Sequence, residues 1–399
     1  MEKIKMTTPI VEIDGDEMTR IMWQMVKEEL ILPHVELKSE YYDLGLLHRN
    51  DTDDQITVEA AEAALKYGVA LKCATITANA QRMVEYPQLK KMYRSPNATI
   101  RSIMGGTIFR EPILIDAVKP IVRNWKKPIT IARHAYGDVY KAVELYTEEK
   151  GSGSLYFRAE TGEEKEILAY QADGPAIWQL QHNSEESIRA FARSCFTYAL
   201  SEKKDLWFSS KDTISTVYDG RFKAIFEEEF APFREQFKEN GITYFYTLID
   251  DAVSRVMRSE GGFIWACKNY DGDVMSDMLS TCFGSLAMMT SVLVTPEGQY
   301  EYEAAHGTVT RHYYRYLKGE ETSTNPVATI FVWANGLRKR GELDGNKALM
   351  EFGQRLKDAT LDTLNAGIMT NDLILLCEDK DHFRSVTTAE FIHEVASRL

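Results

Sequence analysis

The sequence predicts an α/β protein of two lobes, and three observations predict it. Short apolar runs alternate along the chain with amphipathic stretches of helical period. The runs are apolar without alternation, which suits strands covered on both faces. The chain has 399 residues, 44% of them hydrophobic, with no Pro-, Gly- or Ser-rich tract, so it can bury one large core or two ordinary ones.

Taken in order, residues 10–13 read as a strand and 16–31 as a helix, with Met18, Ile21, Met22, Met25 and Leu30 on one face. A helix at 58–66 leads to an apolar strand at 69–73. The pattern repeats with a helix at 114–125 before a strand at 129–132, and a helix at 186–201 before a strand at 206–209. Strands at 244–248 and 263–266 flank a helix at 250–258, and helices dominate the end. The interval 139–182 breaks this rhythm. Gly151-Ser152-Gly153-Ser154 and the run Leu155, Tyr156, Phe157 predict a small β-rich insertion, either a layer that pairs with its twin or a hairpin standing alone.

A formal charge of −13 excludes nonspecific binding to nucleic acid or an anionic membrane as a main role, because the average surface repels both. Any anionic ligand therefore needs a local basic pocket. Met1-Glu2-Lys3-Ile4-Lys5-Met6 lacks an apolar signal, and no later stretch is long enough to span a bilayer, so a cytoplasmic location is expected. The five cysteines, Cys73, Cys195, Cys267, Cys282 and Cys377, are odd in number and without zinc spacing, which predicts buried reduced thiols.

There is no G-x-G-x-x-G after a strand, no P-loop, no H-E-x-x-H and no G-x-S-x-G, so carboxylates and arginines carry the chemistry. Asp273 and Asp277 are spaced to share one helical face, as two oxygen ligands for a hard cation such as Mg²⁺ or Mn²⁺ or as an acidic helix start. Asp250-Asp251 follows an apolar run, at a strand end or as a helix cap. Arg101, Arg110 and Arg133 stand beside loop residues or at a strand end. Three guanidinium forks can hold a polycarboxylate, while a lone arginine serves as a surface ion pair. Lys211 and Tyr140 can transfer protons if neighbouring cations lower their pKa values. The segment Ala304-Ala305-His306-Gly307-Thr308-Val309-Thr310-Arg311-His312 offers backbone N–H groups and cations to a phosphate, or is a connecting turn.

These pieces occur in the order found in the β-decarboxylating dehydrogenases, and nearly the whole chain resembles the NADP isocitrate dehydrogenase branch that includes the eukaryotic enzymes. The blocks that carry the resemblance are KCATIT (72–77), SPNATIR (95–101), GGTIFRE (105–111), RHAYGD (133–138), YDGRFK (218–223), GGFIWACKNYDGDVMSD (261–277), AAHGTVTRHY (304–313) and ETSTNP (321–326). The resemblance implies an isopropylmalate-dehydrogenase-like two-domain fold: a large domain of 1–104 and 284–399, a small domain of 105–137 and 184–283, and a β-rich clasp of 138–183. It implies a homodimer that oxidises and decarboxylates isocitrate to 2-oxoglutarate, using Mg²⁺ or Mn²⁺ and reducing NADP.

By the same resemblance, Thr77, Ser95, Asn97, Arg101, Arg110 and Arg133 form the substrate shell. Asp273 and Asp277 bind metal together with Asp250 of the partner subunit. Lys211, also given across the interface, and Tyr140 handle protons. Lys72, Thr75, Arg82, His306, Gly307, Thr308, Val309, Thr310 and Asn325 lie along the coenzyme. Arg311 and His312 hold its 2′-phosphate with Arg258 of the partner subunit, as a dianion requires. The chain departs from the branch at Ala78-Asn79-Ala80-Gln81, where Pro-Asp-Glu is common, and at Met275, where glutamine is frequent; neither removes a ligand.

Two rivals remain. A sister dehydrogenase of isopropylmalate, homoisocitrate or tartrate would share most of the site, but the polar Ser95 and Asn97 suit a third carboxylate. A haloacid-dehalogenase-like phosphatase would place a nucleophile in Val11-Glu12-Ile13-Asp14-Gly15-Asp16. Met18 stands where that motif expects Thr or Val.

Overall fold

The computed structural model describes residues 2–284, 288–377 and 380–399. Its frame is a ten-stranded sheet in the order Tyr244–Leu248, Asp205–Ser210, Phe263–Cys267, Thr130–His134, Thr107–Pro112, Met289–Val294, Tyr300–Ala304, Val69–Lys72, Ile10–Asp14, Ser39–Asp43. The first four strands run parallel to one another, and so do the last four. Between them Thr107–Pro112 and Met289–Val294 pair antiparallel with each other and with their outer neighbours. Two parallel half-sheets thus meet at an antiparallel seam.

Every residue of Ile10–Asp14, Val69–Lys72 and Phe263–Cys267 is buried, which is why these strands are mostly apolar, the buried Glu12, Asp14 and Lys72 apart. Alternate side chains feed cores on opposite faces. In one half-sheet Ile10, Val69 and Leu71 join Trp23, Trp333 and Phe391, while Val11, Ile13 and Ala70 join Ala61 and Ile100. In the other, Leu206, Phe208 and Ile264 pack on Phe191, Phe196 and Phe226, and Ile131 and Trp265 pack on Trp125 and Leu279.

The helix expected at 114–125 does not form. Pro120 lacks the N–H and clashes with a preceding turn, and the segment is held instead by single bonds such as Ile121 N to Cys282 O at 2.8 Å and Trp125 N to Val122 O at 3.1 Å. Its apolar residues are buried all the same: Ile115 and Val118 in one half, Trp125 in the other. The first helix is Glu17–Val26, followed by a π-helical turn Lys27–Ile31. Four strands of the ten-stranded sheet went unforeseen: Ser39–Asp43, Thr107–Pro112, Met289–Val294 and Tyr300–Ala304. Arg101 lies in helix Pro96–Met104 and Arg110 inside a strand, not beside loops.

Within 139–182 the chain forms two antiparallel pairs, Val143–Thr147 with Ala176–Leu180 and Gly151–Arg158 with Glu164–Ala172. They pack at Gly153, where a Cβ would fall 2.0 Å from the Trp178 ring. Many of their apolar side chains, among them Leu145, Phe157, Ile167, Leu168 and Ile177, are exposed. Among the described residues no helix is long and apolar enough to cross a membrane.

Candidate active site

Strand Thr130–His134 carries Arg133 beside Cys267 of its parallel neighbour, which turns through Lys268 into helix Asn269–Phe283. The first turns of that helix therefore lie across the arginine. Gly272 allows the approach, since a Cβ there would come within 2.8 Å of Arg133 Cβ. Arg133 Nε donates to Asn269 Oδ1 at 2.9 Å, and its Nη1 to Asp273 Oδ1. The Tyr140 hydroxyl donates to the other Asp273 oxygen at 2.5 Å, with the Arg133 guanidinium 5.0 Å from its ring centre.

One helical turn on, Asp277 shares the face of Asp273, as the spacing predicts. Arg110, from the seam strand, reaches both through Nη1: 2.8 Å to Ser276 Oγ, 3.4 Å to Asp277 Oδ1 and 3.8 Å to Asp273 Oδ1. Arg101 donates to Glu303 Oε1 at 2.7 Å, and Asn97 Nδ2 donates to Glu303 Oε2 at 3.0 Å. Lys72 Nζ lies 3.7 Å from the same carboxylate, and donates to Cys73 O at 3.0 Å and Thr75 Oγ1 at 3.4 Å. Thr77 is exposed, and the half-buried Ser95 stands at the start of helix Pro96–Met104.

The arginines crowd one another. Arg133 is pushed down to about 10 by burial first and by Arg101 next, and Arg110 is lowered by the same two causes. An anion set among them would relieve that repulsion. Arg110 Nε and Asn97 Oδ1 are buried without a partner among the described residues, so the pocket holds unused hydrogen-bonding capacity. Tyr140 corrects an expectation: its phenol is pushed up to about 12, by burial and then by Asp273, against the pull of Arg133. In this arrangement the phenol keeps its proton at ordinary pH rather than being acidified by its cationic neighbours.

A second cluster lies along the loop between strand Tyr300–Ala304 and helix Thr310–Leu317. Glu17 accepts from Arg82 Nη1 at 2.7 Å, from Thr310 Oγ1 at 2.6 Å and from Thr308 Oγ1. His306 Nδ1 meets Gly307 O at 2.9 Å, and Val309 takes the left-handed φ of 58°. His306 Nε2 and His312 Nδ1 are buried without a partner among the described residues, and burial lowers the pKa of both rings. Arg311 is exposed. Asn325 is buried, its Oδ1 accepting from Val327 N at 2.9 Å to start helix Val327–Asp344.

Lys211 and Asp250 form a third group. They pair with each other at 2.5 Å, at the ends of neighbouring strands, and the Lys211 backbone N–H is fixed by Asp219 Oδ2 at 2.6 Å. Arg258 is exposed at the far end of the same helix, Ile249–Arg258. Among the described residues no three His, Cys, Asp or Glu side chains converge as a metal site, so one chain brings Asp273 and Asp277 together without Asp250.

Sequence reasoning missed Asn269, Ser276, Glu303 and Glu17. The one signal available for Glu303 was two glutamates alternating with tyrosines in Tyr300-Glu301-Tyr302-Glu303, a strand pattern that puts both acids on one face. The phosphatase reading fails on geometry. Asp14 is tied to the Tyr41 hydroxyl at 2.7 Å and Arg20 at 3.2 Å, and Asp16 accepts the Leu46 and Ile76 N–H groups, each at 2.8 Å, so neither is left as a nucleophile.

Two buried arginines, Arg110 and Arg133, with the part-buried Arg101 beside them, gather near the paired aspartates, next to a loop that carries His306, Arg311 and His312, an arrangement of the enzyme-site class. The isocitrate/isopropylmalate dehydrogenase family model matches residues 5–395, and the chain belongs to that family. It is 49% identical to the human mitochondrial NADP isocitrate dehydrogenase over 409 residues, covering 100% of this chain and 89% of the relative. To the enzymes of the same name from Aspergillus niger and Saccharomyces cerevisiae it is 50% identical, again over 100% of this chain and over 80% and 94% of theirs.

Proposed function

We propose that the protein is an NADP-dependent isocitrate dehydrogenase that converts isocitrate to 2-oxoglutarate and carbon dioxide. The observation that carries this is the meeting of Arg101, Arg110 and Arg133, from a helix and two strands, over Asp273 and Asp277. Three cations suit three carboxylates, and the unused Oδ1 of Asn97 can accept from a hydroxyl.

The donor set fits a divalent ion. Asp273 and Asp277 offer hard oxygens with 37% and 57% of their side chains exposed, and Asp250 of a second chain is the third ligand in this reading. Mg²⁺ or Mn²⁺ would supply Lewis acidity at the substrate's hydroxyl oxygen. The nicotinamide of NADP would accept the hydride, with the coenzyme along Lys72, Thr75, Arg82, His306–Thr310 and Asn325 and its 2′-phosphate at Arg311, His312 and the second chain's Arg258. The arginines bind and orient the carboxylates, holding the reacting carbon against the coenzyme face. Lys211 moves the hydroxyl proton, and the neutral Tyr140 phenol gives a proton to the enol left by decarboxylation.

Lys211 and Asp250 reach this chemistry only from a partner, so the dimer belongs to the mechanism. The exposed apolar faces of the two β pairs support a clasp between chains. In this reading 1–104 with 284–399, and 105–137 with 184–283, close about the seam and exclude water. The described cysteines are all free and four of the five are buried, which fits a reducing compartment; the cytoplasm is the one proposed.

The test is coenzyme reduction by the purified protein given isocitrate, with NADP and NAD in parallel and Mg²⁺ or EDTA. Metal-dependent NADPH formation with carbon dioxide release is expected. Activity with NAD alone would refute the roles of Arg311 and His312. Turnover of isopropylmalate or tartrate in place of isocitrate would overturn the substrate.

A further inference from the structure

Glu17 is buried, charged and given no part in the chemistry above. Its backbone takes φ 54°, the left-handed region that L-residues disfavour, at the first position of helix Glu17–Val26. Such a conformation persists only where the surroundings hold it. What holds it is a single carboxylate accepting from Arg82 Nη1 at 2.7 Å, Arg82 Nη2 at 3.2 Å, Thr310 Oγ1 at 2.6 Å and Thr308 Oγ1.

Those donors come from segments far apart in sequence. Arg82 lies in the short helix Ala80–Glu85, capped by Asn79 Oδ1 on its own N–H at 2.9 Å, and Arg82 Nη2 also donates to Thr310 Oγ1 at 2.9 Å. Thr308 and Thr310 flank Val309, the other strained residue at this place. A backbone bond from Thr19 N to Thr308 O, 3.4 Å, ties the same two segments. Two non-glycine residues in the left-handed region thus face each other, joined through Glu17. Every side chain that Glu17 holds also belongs to the set proposed to bind the coenzyme.

We infer that Glu17 is a positioning residue for the coenzyme, fixing Arg82, Thr308 and Thr310 in the arrangement that receives it. The inference rests on the NADP reading. The carboxylate is saturated by its donors, so little of its charge is left to repel a phosphate, while the donors lose the freedom that binding would otherwise have to freeze out.

The test is steady-state kinetics of Glu17→Gln and Glu17→Asp beside the unaltered protein, varying NADP at saturating isocitrate and then the reverse. Glu17→Gln weakens the charge-assisted bonds, and KM for NADP should rise about tenfold. KM for isocitrate and kcat should stay within about twofold, a split that a general loss of structure would not give. Glu17→Asp keeps the charge but falls a methylene short, and its KM for NADP should rise too; it decides the matter if Glu17→Gln does not fold. An unchanged KM for NADP in the folded variants, or a lower one from simple relief of repulsion, overturns the inference. If the unaltered protein itself does not use NADP, the functional reading fails and this inference with it; if it does and the variants match it, only the inference falls.

Discussion

The seam of the sheet and the β pairs of 143–180 handle their costly groups in opposite ways. At the seam, Arg101, Arg110, Arg133, Asp273, Asp277 and Glu303 are drawn together, and most of their charge is answered within the chain. In the β pairs, Ile167 and Leu168, 63% and 62% exposed, and Ile177, 82% exposed, are left largely uncovered by the described residues. One region answers most of its charge itself and leaves Arg110 Nε and Asn97 Oδ1 without a partner among the described residues. The other leaves apolar side chains in water, which in the proposed reading a second copy covers. Lys211 and Asp250 connect the two cases: among the described residues their side chains pair with each other, while in the proposed reading they act on a second chain's site.

The largest effect should follow from the seam. Asp273→Asn removes the group that Arg133, Arg110 and Tyr140 share, and kcat/KM for isocitrate should fall by about 10³-fold or more. A variant keeping a tenth of the activity would mean that the aspartate merely balances charge. In the β pairs, Ile167→Asp with Leu168→Asp should halve the mass seen by light scattering and abolish turnover. Within one chain these side chains touch little, so the stability of the isolated subunit should change by only about 0.5 kcal/mol. A dimer that survives both changes would place the interface elsewhere.

A smaller effect sharpens the picture of the seam. Glu301, on the same sheet face as Glu303, is pushed up to about 8 by burial first and by Glu303 next, against an ordinary value of 4.5. Between those values the folded chain holds a proton that the unfolded chain has released, so stability falls as pH rises through the window. Glu301→Gln should flatten that fall. It should raise Tm by about 2 °C or more at pH 8.5, with the gain shrinking toward pH 5 in thermal melts.

Much of this was legible in the sequence, and for physical reasons. Strands buried on both faces, such as Phe263–Cys267 and Val69–Lys72 with its apolar residues 69–71, need apolar side chains along most of their length and so announce themselves. Strand Tyr300–Ala304 did not, because one of its faces lines the site and carries Glu301 and Glu303. The apolar residues of 114–125 suggested a helix, but they are buried by irregular chain that Pro120 keeps from coiling. Asp273 and Asp277 could be paired because a helix sets their spacing. The links Arg101–Glu303 and Glu17–Thr308 could not, since hundreds of residues separate the partners and only the folded sheet brings them together.

The central claim is that one chain holds half a site. It is tested most directly by mixing inactive Asp273→Asn chains with inactive Asp250→Asn chains after denaturation and refolding. If each site takes Asp273 from one subunit and Asp250 from the other, half of a random mixture is hybrid, and every hybrid dimer carries one native site. About a quarter of the native activity should then return. A mixture as inactive as its parents would contradict the shared site and leave Lys211 and Asp250 as a structural pair.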